Sequence, residues 1–184
     1  MNLDNIKTPQ DIYNFMDKYI KYGWFDQEHK VHINDMKNVR DRYRTASLEE
    51  TLKFDTGTCI EQVYLMKKLF DQINIKSKMY CARIYDGEDF NIIDNEFMHC
   101  FLLYFLDDKV YHMEIPNWEI KGIYEYASEE EAVDTINKYY INKVKGKASP
   151  VVAYDYVEPH ITFKEFNKYI DSLEPIQTKN SSAK

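Results

Sequence analysis

Three side chains of this 184-residue chain fall in an order that suits nucleophilic chemistry: Cys59, then His99, then Glu114. A thiol becomes a nucleophile when a base lies within hydrogen-bond reach and a third group steadies that base. Cys59 follows the turn Asp55-Thr-Gly-Thr58 and opens a run with helical spacing. A helix N-terminus carries partial positive charge and free backbone N–H groups, which lower a thiol pKa and can hold an oxyanion. The competing expectation for Cys59 is a small apolar residue packed under its helix. His99 leads a nearly all-apolar stretch, Met98 to Leu106, and Glu114 closes the return stretch, Val110 to Ile115. A tight turn at Asp107-Asp-Lys109 sets position 99 opposite 116 or 117, so Glu114 comes within reach of the His99 ring. Taken singly, His99 reads as a core histidine and Glu114 as a solvated acid.

The elements that must position these residues follow from caps and periodicity. Thr8-Pro9 with Asp11 opens a helix carrying Ile12, Phe15, Met16 and Tyr19, with Gly23 expected as its terminal break. Residues 25–46 read as a long loop with one helical turn. Ser47-Leu-Glu-Glu50 is a capping box for a short helix to Phe54. Thr58 with Glu61 caps the helix from Cys59 to Ile73. Strands are expected over 78–85, 98–106 and 110–115, the second of them central because it is apolar on both faces. Ser128 caps a helix to Ile141, 151–157 reads as a further strand, and 162–173 as a final amphipathic helix. Helices, then an antiparallel sheet, then helices make an α+β layout. One domain over 1–176 with a disordered tail at 177–184 accounts for the whole length.

Charge and cysteine usage remove several function classes. Lys and Arg number 24 against 31 Asp and Glu, a net charge of −7, so a phosphate backbone is repelled and nucleic acid is not an expected partner. No apolar run approaches the roughly 20 residues that span a bilayer, and the N-terminus has no signal-peptide pattern, which makes the expected location cytoplasmic. Three cysteines without a C-x-x-C pair argue against a disulfide framework or a zinc site. His29 and His32, among Asp26, Glu28 and Asp35, read as a solvated loop rather than a metal site, and the acids of 86–94 lack calcium-loop spacing. No cofactor is called for, and the oligomeric state is left open.

Gly57-Thr-Cys59 before an amphipathic helix, a strand led by His99, and Glu114-Ile-Pro-Asn together resemble the transglutaminase-like, papain-like cysteine enzyme core. Tyr22-Gly23-Trp24, Trp118 and Gly122-Ile-Tyr-Glu-Tyr126 extend the resemblance to small bacterial transglutaminase-like proteins, over about residues 8–142. The resemblance implies a helix bearing the nucleophile packed on an antiparallel sheet, and a catalytic triad of Cys59, His99 and Glu114. It also implies acyl transfer from amide bonds of a protein or peptide through a thioester. Trp24 could then donate its N–H to the oxyanion, although a packed core tryptophan is the stronger expectation, with Asn117 and Trp118 walling the cleft. Two departures stand out: the acid is Glu rather than the commoner Asp, and Phe101-Leu-Leu replaces the usual residue two after the histidine. The alternative is a binding module that keeps the fold without catalysis, for which an aromatic content of 15% is well suited.

Overall fold

The computed structural model describes residues 3–85, 96–145 and 150–176. The acid-rich stretch 86–95 and the tail 177–184 lie outside the described residues. No described helix is long and apolar enough to cross a membrane.

The chain is an α+β fold with two sheets. Helix α1 (Pro9–Tyr19) carries the expected capping box of Thr8 and Asp11. It ends earlier than Gly23, because Lys21–Asp26 is a strand, β1. Gly23 serves strand pairing: a Cβ there would lie 2.5 Å from the His32 carbonyl oxygen, so only glycine allows β1 to approach β2 (Val31–Ile33). The expected loop at 25–46 is thus largely built. Helix α2 (Val39–Arg42) and strand β3 (Tyr43–Arg44) complete it, and β3 pairs with β1. These strands are too short and too polar to show a two-residue alternation. Their pairing is organised from inside by Asp26, which is fully buried and accepts from His32, Arg42 and the backbone N–H groups of Glu28 and Lys30. Asp26 is therefore a structural carboxylate, whereas Glu28, His29 and Asp35 are exposed, as expected of a solvated loop.

Helix α3 (Leu48–Phe54) starts at the Ser47 capping box, and Thr56–Gly57 forms β4, parallel to β1. Helix α4 (Cys59–Gln72) follows directly. The second sheet holds β5 (Ser77–Tyr85), β6 (Glu96–Leu106), β7 (Lys109–Glu114), β8 (Gly122–Tyr126) and β9 (Val151–Tyr154). Its strand order is β8-β7-β6-β5-β9, all antiparallel, with β6 central as its apolar run requires. Strand β8 had no counterpart among the expected elements. Helices α5 (Glu129–Val144) and α6 (Phe163–Asp171) are capped by Ser128 and Thr162.

Alternation along the strands divides the core into two layers. Met79, Cys81, Cys100, Leu102 and Met113 join α4 and α1 in one apolar cluster. Tyr80, Ala82, Phe101, Leu103 and Val110 join α5 in the other. The sheet therefore lies between α4 and α5, and the end of β6 is where both layers can meet one site.

Candidate active site

The start of α4 is fixed by a single buried carboxylate. Glu61 Oε2 accepts from the Thr58 backbone N–H at 2.9 Å and the Thr58 hydroxyl at 2.7 Å. Its Oε1 accepts from the Tyr43 hydroxyl at 2.5 Å and the Ala46 N–H at 3.1 Å. Gly57 makes room for this fold-back, since a Cβ there would sit 2.6 Å from Glu61 Cβ. The cap thus ties α4 to the small sheet and presents Cys59 at the first helical position. Glu61→Ala leaves the Tyr43 hydroxyl and two backbone N–H groups buried without acceptors. At roughly 1–3 kcal/mol per orphaned group, the expected loss of stability is about 3–5 kcal/mol, read from the denaturant midpoint. A loss below about 1 kcal/mol would show that the cap does not organise the helix start.

His99 stands at the β6 end, 5% exposed, with Ala82 opposite on β5. The β6–β7 register (Leu102 opposite Met113, Leu106 opposite Lys109) continues to 99 opposite 116, as the hairpin turn implied. Glu114 is two positions short of that and on the same face, and its Oε2 lies 3.0 Å from His99 Nε2. The carboxylate is heavily engaged. Its Oε2 also meets His112 Nε2 at 3.1 Å and the Tyr140 hydroxyl at 3.4 Å, and Oε1 accepts from the Asn117 N–H at 2.9 Å. An ionised carboxylate only accepts, so both histidines carry their proton on Nε2. The His99 ring stacks on Tyr140 at 4.2 Å between centroids, and it lies near enough to the Cys59 side chain for each to shift the other's titration. The three side chains singled out in the sequence are therefore grouped at one place. His112, the rival base, is buried against Glu114.

The electrostatics differ from the expectation at the sulfur. The Cys59 thiol is pushed well above its ordinary value, first by its hydrogen bond to the Cys100 side chain and then by burial. His99 pulls in the other direction. The helix end alone does not make a thiolate here, because a second thiol and a dry environment outweigh it. For His99, burial opposes the charge, but the Glu114 carboxylate and Cys59 overcome it and hold the imidazole up at about 9. Burial raises Glu114, but the two histidines more than offset this and hold it below the usual carboxylate range. Burial and Cys100 thus push the thiol toward its protonated form, while Glu114 pushes His99 toward the imidazolium, and a base appears only when the pair loses a proton. Alkylation of Cys59 by iodoacetamide is expected to rise with pH to a midpoint above the roughly 8.5 of an ordinary thiol. Cys100→Ala removes the largest upward push and moves that midpoint down. A rate already level at about pH 6 would mean a preformed thiolate and contradict this charge state.

The helix N-terminus also holds fewer open N–H groups than a free one. Thr58 Oγ1 takes those of Ile60 and Glu61, leaving the Cys59 N–H, which meets the Tyr22 side chain. Burial pushes the Tyr22 phenol up, so it is a neutral hydroxyl and remains a donor. Trp24, a candidate oxyanion donor, is 1% exposed, stacks on His32 and gives its indole N–H to the Asp35 carbonyl. It is a packing residue, as the core reading of it holds. Alternation puts Tyr22 on the same strand face as Trp24, and its pairing with Gly57, which the sequence does not show, brings it next to Cys59. Asn117 caps a short 3-10 turn, Trp118–Ile120, and its side-chain amide donates to Tyr140. Trp118 is 79% exposed at the rim.

No protein-family model and no curated protein matches the chain. Among solved structures, it is similar to an arylamine N-acetyltransferase of Bacillus cereus. That enzyme is described as having a unique Cys-His-Glu catalytic triad. The identity is 11% and the TM-score 0.35, covering 94% of this chain and 90% of that one.

Two clefts open on either side of the dyad. The larger, about 570 Å³, is lined among the described residues by His99, Asn117, Trp118, Lys121, Tyr140 and Lys143, with others. The smaller, about 190 Å³, reaches Cys59 itself. Tyr22, Met36 and Phe97 line both and separate them.

Proposed function

We propose that the chain is a cysteine-dependent acyl-transfer enzyme of transglutaminase-like type, acting on amide bonds of a peptide or protein through a thioester. The observation that carries this reading is the grouping of Cys59 at the start of α4, His99, whose titration Cys59 influences, and Glu114 at 3.0 Å from the His99 ring. Cys59 attacks the carbonyl carbon and its proton passes to His99. Glu114 holds His99 in the Nε2–H tautomer and steadies the imidazolium that forms. The Cys59 N–H and the Tyr22 hydroxyl hold the tetrahedral oxyanion. His99 then protonates the leaving amine, and the Cys59 thioester passes to water or to an incoming amine, restoring the thiol.

The second reading, a binding module on the same fold, is favoured by one feature: a largely exposed Trp118 at the rim of the larger cleft. Acylation separates the two. Incubated with an activated ester at about pH 9, the folded chain is expected to gain one acyl group, mapped by peptide mass spectrometry to Cys59 and not to Cys81 or Cys100. All three cysteines are buried, so exposure alone does not predict that selectivity. Absence of an adduct, or equal adducts on all three, would remove the enzymatic reading and leave the binding module.

A further inference from the structure

The two clefts do not offer the same chemistry, and the order of proton transfers decides what each must hold. This inference rests on the acyl-transfer reading and assigns it a substrate class. In such a reaction the acyl group becomes bonded to Cys59 Sγ, while the leaving group takes its proton from His99. The leaving group must therefore lie on the His99 side, and the acyl chain on the side that Cys59 faces without His99. His99 lines the larger cleft and Cys59 the smaller one.

The smaller cleft is apolar. Val39, Tyr43, Ile60, Phe97, Met98 and Phe163 contribute to its wall, and Arg40, Thr58 and the Tyr22 hydroxyl beside Cys59 are polar members among the described residues. Tyr43 cannot turn its hydroxyl inward, because that group is bound to Glu61. Thr58 has its hydroxyl engaged in the helix cap. At about 190 Å³, the space is below the roughly 300–1,000 Å³ of pockets that enclose a whole small ligand. It suits one side chain or a short acyl tail. The larger cleft is within that range at about 570 Å³ and presents the Asn117 amide, two lysines and the exposed Trp118 face. The Asn117 amide is bound to Tyr140, and Lys121 and Lys143 are paired with Asp17 and Glu119 at the surface, so it is the size of this cleft and the open Trp118 face that fit an extended leaving or accepting group.

We infer that the 190 Å³ cleft beside Cys59 is the acyl subsite, and that the chain selects donors with an uncharged, apolar acyl group of short-chain or single-ring size. In the step itself, the Cys59 Sγ–H gives its proton to His99 as the new Sγ–C bond forms. The carbonyl carbon–heteroatom bond then breaks, and the His99 proton leaves on the departing oxygen or nitrogen. The acyl tail remains in the apolar cleft while water or an amine enters past Trp118.

The test is a series of p-nitrophenyl esters with acetyl, butanoyl, pentanoyl, decanoyl, phenylacetyl and succinyl groups, following nitrophenolate release and the mass of the acylated chain. From acetyl upward, kcat/KM is expected to rise about fourfold per methylene, the equilibrium value of one buried CH₂, and to level off or fall by decanoyl. The anionic succinyl ester is expected to be at least tenfold poorer than pentanoyl. Val39→Phe fills the cleft and should move the optimum to shorter chains, and Phe163→Ala should move it to longer ones. A shift in either variant supports the assignment, and an unchanged chain-length optimum in both overturns it. A flat response to chain length, or a preference for succinyl, with Cys59 adducts still forming, overturns the subsite and leaves acyl transfer standing. No Cys59 adduct from any ester overturns both.

Discussion

Replacing Cys59 by alanine is expected to lower kcat by about 10⁵- to 10⁶-fold, the scale seen when a covalent nucleophile is deleted from an acyl-transfer site. The fold should persist. The α4 cap rests on Thr58 and Glu61 rather than on the sulfur, and alanine is a better helix former than cysteine at that position. Removal of Sγ also leaves no orphaned strong donor or acceptor, since Cys100 is itself a thiol and His99 keeps Glu114. His99→Ala should cost a similar factor, and the double variant should fall little further, because residues that act as one unit are not additive. Cys81→Ala is the control: Cys81 pairs with Cys100 inside the sheet, away from His99, and its loss should leave turnover within a few-fold. Retention of more than about one per cent of activity in Cys59→Ala, with an unchanged circular dichroism spectrum, would exclude a covalent role for this sulfur.

Glu114→Gln carries the second large effect, and its physics is different. The wild-type carboxylate accepts from two imidazoles, one phenol and one backbone N–H. An amide offers only one accepting atom. If its oxygen keeps the histidines, its NH₂ meets the Asn117 N–H; if it is turned, its NH₂ meets the proton on His99 Nε2. Either outcome forces a rearrangement, and the second drives His99 into the wrong tautomer. A loss of about 10³–10⁴ in kcat is expected. The pH profile should move as well. Glu114 is the main influence holding the imidazole up at about 9 against burial, so the variant's midpoint should fall toward the ordinary histidine value of about 6.5. Breaking a buried ion pair also costs stability, about 3–5 kcal/mol, so the profile is to be measured well below the variant's unfolding temperature. A rate loss with no change in midpoint would mean that Glu114 supports the fold and does not set the charge of His99.

Much of this arrangement could be read from the sequence because its signals are local. Capping boxes at Thr8, Ser47 and Thr58 each involve residues three apart, and the structure forms all three. The hairpin at Asp107-Asp108 fixes its own register, which is why the Glu114–His99 approach could be reckoned by counting from the turn. What could not be read is non-local. The small sheet of β1 to β4 is made of strands two to six residues long, and the carboxylate that organises it, Asp26, looks like any surface acid in the sequence. Tyr22 and Trp24 share a strand face, and only the pairing of Tyr22 with Gly57 shows which of them meets Cys59. The thiol's charge state depends on Cys100, forty-one positions away, and on burial, and neither leaves a mark near Cys59.

The layered core has one further consequence. Cys59 belongs to the helix on one side of the sheet, whereas His99 leans on Tyr140 from the helix on the other. Lifting the Cys59 helix by the width of one side chain takes the sulfur away from the ring, and lifting the other removes the Tyr140 stack that backs it, even with every strand still paired. The two helices are thus the jaws of a clamp, and the sheet between them is the spacer that sets its gap.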